Sequence, residues 1–493
     1  MPGAAERAGG ALDARVLRGL RRAAPGAVST RLEDRICYSL DATDLRSLPD
    51  AVAWPRSAEE VAGVVRAAAA HGVPVVPRGA GTGYTGGCLP VAGGVVVSTE
   101  RMDRVLLVDV ARRVAVVEPG VVNEALRARV ESVGLSYPPD PASLKVSTIG
   151  GNVAEGAGGP RTVLHGTTRD YVVGLEAVLA DGAVVSTGFL APGDGTVGWD
   201  LGTLLVGSEG TLAVVTKVAL RLTDRPLGFA TYWAEFPSLE GAALAVAKIT
   251  AAGLPAGVLE IMDGATLACA VEHVRGVKPA GAPEAALLVE LEGDPSGFGA
   301  AAATVRAFAL ENGATVFREA ASEEEREEIW EIRRSISPSL ARMSGGKINE
   351  DIAVPRSRIP EFVRAMREIG AALDLRILAF GHAGDGNLHV NVMVERADTG
   401  QMARARDAVA RLFACALRLG GTLSGEHGIG ITKAEHLASE LDETALRVTR
   451  ALKRAFDPDG IMNPDKILTD RPNPWWQGLP PAGMPAAETR SCS

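Results

Sequence analysis

Two histidines in a glycine-rich stretch, His382 and His389, are the first residues here that could do chemistry together. They flank Asp385-Gly386, a pair suited to a two-residue type I′ turn, where φ is positive. Apolar runs on either side predict a hairpin pairing 384 with 387, 383 with 388 and 382 with 389. The imidazoles then face each other with Cβ atoms about 5 Å apart. That is close enough to share a metal ion through Zn–N bonds of roughly 2.0–2.1 Å. Asn391, two residues past His389, points the same way. The chain has only 7 His, so chance pairing is the weaker reading. A third ligand is still needed, and the stretch Leu423-Ser424-Gly425-Glu426-His427-Gly428 supplies it. Glu426 is a carboxylate ligand and His427 an acid–base group. His, His and Glu form a catalytic zinc set that leaves one position open to substrate. Neighbours on an extended segment point apart, so Gly425 and Gly428 must allow a bend there.

The elements that must position these groups alternate through the second half. Strands are expected at 229–236, 257–262, 286–292 and 314–318. Helices are expected at 238–252, 264–272 and 296–311. This pattern suggests a ferredoxin-like sandwich. Ser322 caps a helix opening with Glu323-Glu324-Glu325, acids placed well for the dipole. That helix carries Arg333, Arg334 and Ser337; by spacing alone its arginines fit surface ion pairs. Helix 357–372 precedes the histidine hairpin, and helix 402–419 precedes the Glu426 bend. Helix 443–455 leads to the segment 457–466.

In the first half, Ser57 and Glu60 cap a helix at about 58–70. Strand 73–76 then enters a loop in which Gly81, Gly83 and Gly86 satisfy G-x-G-x-x-G. A Rossmann fold needs a helix immediately afterwards. Pro90, Gly93, Gly94 and a strand at 95–98 come instead, so that fold is excluded. The loop reads as a nest of backbone N–H groups for an anion. Residues 137–159 are too long and too rich in Pro and Gly for a connector. Their small residues let backbone approach a flat ligand. Residues 207–215 make a third glycine-rich segment. The first half thus reads as one α+β domain around a large cofactor.

Apolar residues are 46% and charged residues 23%, which fits a soluble globular protein. The net charge of −9, with no basic run, excludes nucleic-acid binding. No apolar run reaches the ~20 residues that span a bilayer. The 5 cysteines are scattered and form no CxxC. They indicate a reducing compartment and neither a thiolate zinc site nor an iron–sulfur cluster. A cytoplasmic protein is expected, alone or peripheral at the inner face of the membrane. The Pro-rich end with Trp475-Trp476 reads as a disordered tail.

Together, the segments 77–87, 139–159, 207–215, 381–389, 425–430 and 463–466 resemble the FAD-linked D-2-hydroxyacid dehydrogenases. This is the glycolate oxidase D-subunit and D-lactate dehydrogenase branch of the vanillyl-alcohol-oxidase-type flavoproteins. The resemblance implies an α+β FAD-binding domain, a ferredoxin-like cap and a C-terminal helical return. The expected boundaries are an N-terminal segment 1–45, FAD domain 46–226, cap with metal site 227–435, return segment 436–470 and tail 471–493. The resemblance also implies that Pro77, Arg78, Gly79, Ala80, Gly81, Thr82, Gly83, Gly86 and Gly87 hold the FAD pyrophosphate. Around the rest of the cofactor it places Pro139, Asp140, Ser143, Ser147, Thr148, Gly150, Gly151, Asn152, Ala154, Glu155 and Gly158. Glu209, Gly210, Val214, Val215 and Asn463 complete that set.

By the same resemblance, His382, His389 and Glu426 bind a divalent metal, zinc foremost, and His427 is the base. Arg333, Ser337, Lys347 and Asn391 match substrate-contacting positions. Neither Tyr84 nor the surroundings of His165 match a flavin-linking histidine, so FAD is expected to be noncovalent. The implied reaction oxidises glycolate or D-lactate to the 2-oxoacid. The electrons go to an iron–sulfur protein, quinone or cytochrome partner. D-2-hydroxyglutarate oxidation and a non-redox flavoprotein are the alternatives within the superfamily. A flavin-free zinc hydrolase is the alternative outside it.

Overall fold

The computed structural model of the protein describes residues 12–195, 198–279, 281, 283–343 and 345–477. Strands β1 (Val28–Ser29), β2 (Ala51–Ala53), β3 (Val75–Arg78) and β4 (Val95–Ser98) form a sheet of order β1-β2-β4-β3. The last three named run parallel. They are short runs rich in Val and Ala, as a sheet covered on both faces demands. One face packs on helices Ala14–Ala23 and Ala58–Ala69. The second helix is capped by Ser57, whose Oγ accepts from the Glu60 N–H at 3.3 Å. After β3 comes the glycine loop and then β4, with no helix between.

Strands β5 (Val105–Asp109), β6 (Val114–Val117), β7 (Leu135–Ser136), β8 (Val172–Val178), β9 (Val184–Ser186), β10 (Val214–Arg221) and β11 (Thr223–Asp224) follow. Five of them form an antiparallel sheet, β5-β6-β10-β8-β9, and β7 pairs with β11. The short helix Ile149–Glu155 lies between β7 and β8, capped by Thr148. Its N-terminus meets the glycine loop closely: a Cβ on Gly79 would lie 2.4 Å from Thr148 Oγ1. Only glycine permits that approach.

The second half builds one sheet of seven strands. These are β12 (Gly228–Phe236), β13 (Ala256–Asp263), β14 (Ala285–Gly293), β15 (Val316–Glu319), β16 (Gly346–Ala353), β17 (Ile377–Gly381) and β18 (Asn387–Val394). Their order is β15-β12-β14-β13-β17-β18-β16. The first four, with helices Leu239–Ala251 and Phe298–Glu311, have the strand order of a ferredoxin-like sandwich. The other three widen the sheet past β13.

One face of this sheet is apolar. Leu388, Val390, Val392 and Val394 of β18 pack there with Ile348 and Ile352 of β16. Helices Leu239–Ala251, Phe298–Glu311, Ile359–Leu373 and Thr399–Arg418 cover it. Helices Gly264–Arg275 and Glu323–Leu340 cover only part of the opposite face. The remaining positions on that face are polar, and they turn toward the first half.

One expectation is corrected. Pro474–Trp476 is not tail: it forms a 3₁₀ turn with Trp476 buried in the cap core. Trp475 Nε1 donates to the Thr43 carbonyl at 3.3 Å, tying this turn to the first half. The end of the chain from 478 lies outside the described residues. No described helix is long and apolar enough to cross a membrane.

Candidate active site

The sheet register assembles the polar row. Antiparallel pairing of β16 with β18 sets Asp351 opposite His389, Asn349 opposite Asn391 and Lys347 opposite Met393. Side chains of a strand alternate, so Lys347, Asn349, Asp351, His389 and Asn391 all leave by the same face.

The histidine hairpin is wider than the sequence suggests. Phe380, not His382, pairs with His389, and Ile377 pairs with Val392. The Asp385 and Asn387 N–H groups both donate to the His382 carbonyl, at 3.2 and 3.1 Å, so the turn encloses 383–386. Gly386 has φ +90°, but Asp385 is not left-handed, which excludes a type I′ turn. The turn is docked: Gly384 N–H donates to the Leu259 carbonyl at 3.0 Å. The register moves by two, which preserves the face. The histidine Nε2 atoms still lie 3.4 Å apart.

Glu426 completes a triangle. Its Oε1 lies 3.2 Å from His382 Nε2 and 3.5 Å from His389 Nε2. Three vertices of a tetrahedron with arms of 2.0–2.1 Å are roughly 3.3–3.4 Å apart. The donor set therefore fits a zinc-sized cation with a fourth position open.

The bend that brings Glu426 and His427 together is made by Asp351. Its Oδ2 accepts from the N–H groups of Glu426 and His427, both at 2.8 Å, and from Ser424 Oγ at 3.0 Å. Its Oδ1 accepts from Asn387 Nδ2. Burial pushes this carboxyl up, yet His427, Lys433 and His389 hold it well below the usual range. Asp351, His389, Glu426 and His427 also offer donor atoms within 4.8 Å of one another. Both Asp351 oxygens are already engaged, so it orders the bend and leaves His382, His389 and Glu426 as the donors free to hold a cation. Gly425 is obligatory here: a Cβ would lie 1.6 Å from Asn387 Nδ2.

His427 is sandwiched between Tyr84 and His389, with ring centroids 5.0 and 5.1 Å away. Burial pulls it below the usual imidazole range against the pull of Asp351 and Glu426. That shift favours the neutral form of the ring, which can accept a proton. Its Nε2 lies 4.0 Å from Glu426 Oε1, beside the triangle. Lys347 Nζ donates to Ser337 Oγ at 2.9 Å and to the Ser337 carbonyl at 3.2 Å. Tyr84 Oη reaches the same Oγ at 3.1 Å. No carboxylate pairs with Lys347 among the described residues, and burial lowers it to about 8.

A cleft of about 520 Å³ runs from the glycine loop to this cluster. Every residue expected at the cofactor lines it except Gly86, Pro139, Asp140, Gly158 and Asn463. Those five work from behind. Asn463 Nδ2 ties the carbonyls of Gly87 and Glu209 at 2.7 Å each. Gly86 and Gly158 give room to Ile431 and Glu426. Pro139 takes the Asn123 amide at 3.3 Å, and Asp140 pairs with Arg161 at 3.3 Å. Among the described residues, the N–H groups of 79–83 have no protein acceptor. Such a row of free donors suits a pyrophosphate. Opposite, Glu209 carries φ +51° and accepts from Ile429 and Gly430 N–H, both at 2.7 Å. That contact fastens the bend after His427 to the first half of the chain. His165 pairs with Glu292 at 2.8 Å and is not among the cleft-lining residues.

Two expected substrate contacts point elsewhere. Arg333 is 5% exposed and its guanidinium is taken by Glu260, with Nε to Oε2 at 2.5 Å. Arg334 lines the cleft instead, paired with Glu327. Asn391 is fully buried; its amide bridges the His389 carbonyl at 3.1 Å and Asn349 at 2.9 Å. Sequence reading missed Tyr84, Glu260 and Asp351. Glu260 is a lone acid inside the apolar run Gly257-Val258-Leu259-Glu260-Ile261-Met262. A buried carboxylate demands partners, and that was its signal.

Residues 49–188 match the family described as FAD binding domain, and 226–467 match FAD linked oxidases, C-terminal domain. The glycolate oxidase subunit GlcD of Bacillus subtilis is 41% identical over 88% of this chain and 92% of its own. A D-lactate dehydrogenase of Archaeoglobus fulgidus is 35% identical over 85% of this chain and 91% of its own. The solved 4-ethylphenol oxidase of Gulosibacter chungangensis superposes with a TM-score of 0.76 at 21% identity. That match covers 92% of this chain and 97% of the oxidase, and it shows the shared fold. With the cleft, its free N–H row and both domain matches in place, the chain belongs to the FAD-linked oxidase family.

Proposed function

We propose that this enzyme oxidises a small D-2-hydroxyacid of the glycolate or D-lactate type to its 2-oxoacid. The observation that carries this reading is the donor triangle of 3.2, 3.4 and 3.5 Å at the end of the FAD cleft. It sits beside His427 and a half-buried lysine, Lys347, that makes no ion pair among the described residues. FAD, bound noncovalently, supplies the acceptor for the substrate's hydride. A divalent metal, zinc foremost, held by His382, His389 and Glu426, supplies Lewis acidity toward the α-hydroxyl.

The chain's own residues do the rest. His427 Nε2 takes the hydroxyl proton. Lys347, fixed by Ser337, seats the substrate carboxylate, and Tyr84 closes that seat from the FAD side. Asp351 keeps the base and the Glu426 ligand at one bend. Asn391 ties β18 to β16 and does not touch substrate. Electrons leave to a separate acceptor on the cytoplasmic side. The name of the Bacillus subtilis relative includes the word subunit, and that supports a multisubunit assembly.

The test is anaerobic reduction. Glycolate or D-lactate is expected to bleach the visible flavin band, with L-lactate inert. Bleaching by D-2-hydroxyglutarate alone would move the substrate to a dicarboxylate. A flavin that no 2-hydroxyacid reduces would overturn the proposal.

A further inference from the structure

Glu260 and Arg333 form a buried pair directly behind the donor triangle. Glu260 projects from β13 on the polar face of the sheet and has no exposure. Its Oε1 lies 2.5 Å from His382 Nδ1, and its Oε2 is held by Arg333 through Nε and Nη2. Both oxygens are committed, leaving none for substrate or cation. Arg333 is fixed in turn, its guanidinium 5.0 Å from the Phe380 ring centroid. The two histidines are therefore held unequally. His389 Nδ1 is buried with no hydrogen bond, the Asp351 Oδ1 lying 3.8 Å away, and its ring packs on Phe380 and His427.

We propose that Glu260 is the positioning residue for cation binding. It accepts the Nδ1–H of His382 and so aims the Nε2 lone pair at the triangle, with Arg333 acting through Glu260. A carboxylate behind a ligating imidazole fixes its tautomer and raises its basicity; losing such a partner costs about 10–100-fold in metal affinity. His382 is thus the anchoring ligand and His389 the adaptable one. This rests on the metal reading above and extends it to two residues outside the cleft.

The experiment uses the full-length protein with FAD bound and Co²⁺ as probe, its affinity measured by chelator competition. Glu260→Gln keeps the volume. It is expected to bind Co²⁺ about 10–100-fold more weakly, with a shifted Co²⁺ visible spectrum and an unchanged FAD-to-protein ratio. Arg333→Gln should weaken Co²⁺ in the same direction, while Arg333→Lys restores most of the affinity. Wild-type Co²⁺ affinity in Glu260→Gln overturns the inference. So does an Arg333→Gln variant that keeps its cation and only raises the substrate KM. If Glu260→Gln fails to fold, the two Arg333 variants carry the same decision. A wild-type chain that takes up no Co²⁺ overturns the triangle reading and this inference with it, whereas tight wild-type binding isolates the inference.

Discussion

The two faces of the seven-stranded sheet are made by the same strands and differ in almost everything else. On one, successive even positions of β18 pack Leu and Val against four helices. On the other, the intervening odd positions carry His389 and Asn391. The apolar face needs only volume and tolerates its neighbours' exact identity. The polar face needs each charge matched, because a buried ion without a partner costs several kcal/mol. Glu260 has Arg333, and Asp351 has Lys433 together with three hydrogen-bond donors that belong to the bend. One face therefore specifies stability and the other specifies geometry. Mutations on the two should separate cleanly.

The largest effect belongs to the polar side. His427→Ala should slow flavin reduction by about 10²–10⁴-fold with FAD still bound, as stopped-flow absorbance would read. A normal reduction rate would remove His427 from the proton transfer. Phe362, fully buried on the apolar face, is the counterpart. Phe362→Ala should lose about 3–5 kcal/mol of stability in urea titration. The rate per bound flavin should stay near wild type. If that rate collapses too, the faces are not independent.

How much of this was readable beforehand follows the same division. Alternation along Leu388-His389-Val390-Asn391-Val392 gives β18 and its two faces directly. The glycine loop and the missing helix after it are equally local. Partners remote in sequence are not readable. Nothing near Arg333 announces Glu260, 73 positions earlier, so spacing alone read it as a surface ion pair and the resemblance alone placed it at substrate. The hairpin register failed because Asp385-Gly386 is judged by local turn chemistry, while docking of Gly384 on β13 decides it. The Trp475-Trp476 turn failed because composition speaks of solvent and the buried surface under Trp476 is tertiary.

Glu350 breaks the rule of the faces. It sits on the apolar side, 1% exposed, with neither oxygen hydrogen-bonded. Burial raises it to about 8, with Lys433 opposing and Asp351 and Glu435 adding. A folded acid that holds its proton while the unfolded chain has lost it makes stability fall as pH rises from the ordinary carboxylate range to about 8. Glu350→Leu should remove that slope and gain roughly 1–3 kcal/mol at pH 8. Denaturant midpoints across pH check this. An unchanged slope would mean Glu350 has a partner in solution.

Lys347, three positions earlier on β16 and on the opposite face, should show the reverse sign. Burial depresses it to about 8 from 10.5. Above that value the folded chain has shed a proton that the unfolded chain keeps, so this residue makes stability rise with pH until the ordinary lysine range. The effect on turnover runs the other way, because the carboxylate seat needs the ammonium. On this account kcat/KM falls about tenfold per pH unit above about 8, and kcat falls less, since bound carboxylate keeps the proton on. Lys347→Arg cannot deprotonate in this range, so it should lose some affinity yet flatten the profile. A wild-type profile that stays level to pH 10, or an arginine variant with the same decline, would assign the seat to another cation, and Arg334 at the cleft wall is the one to test next.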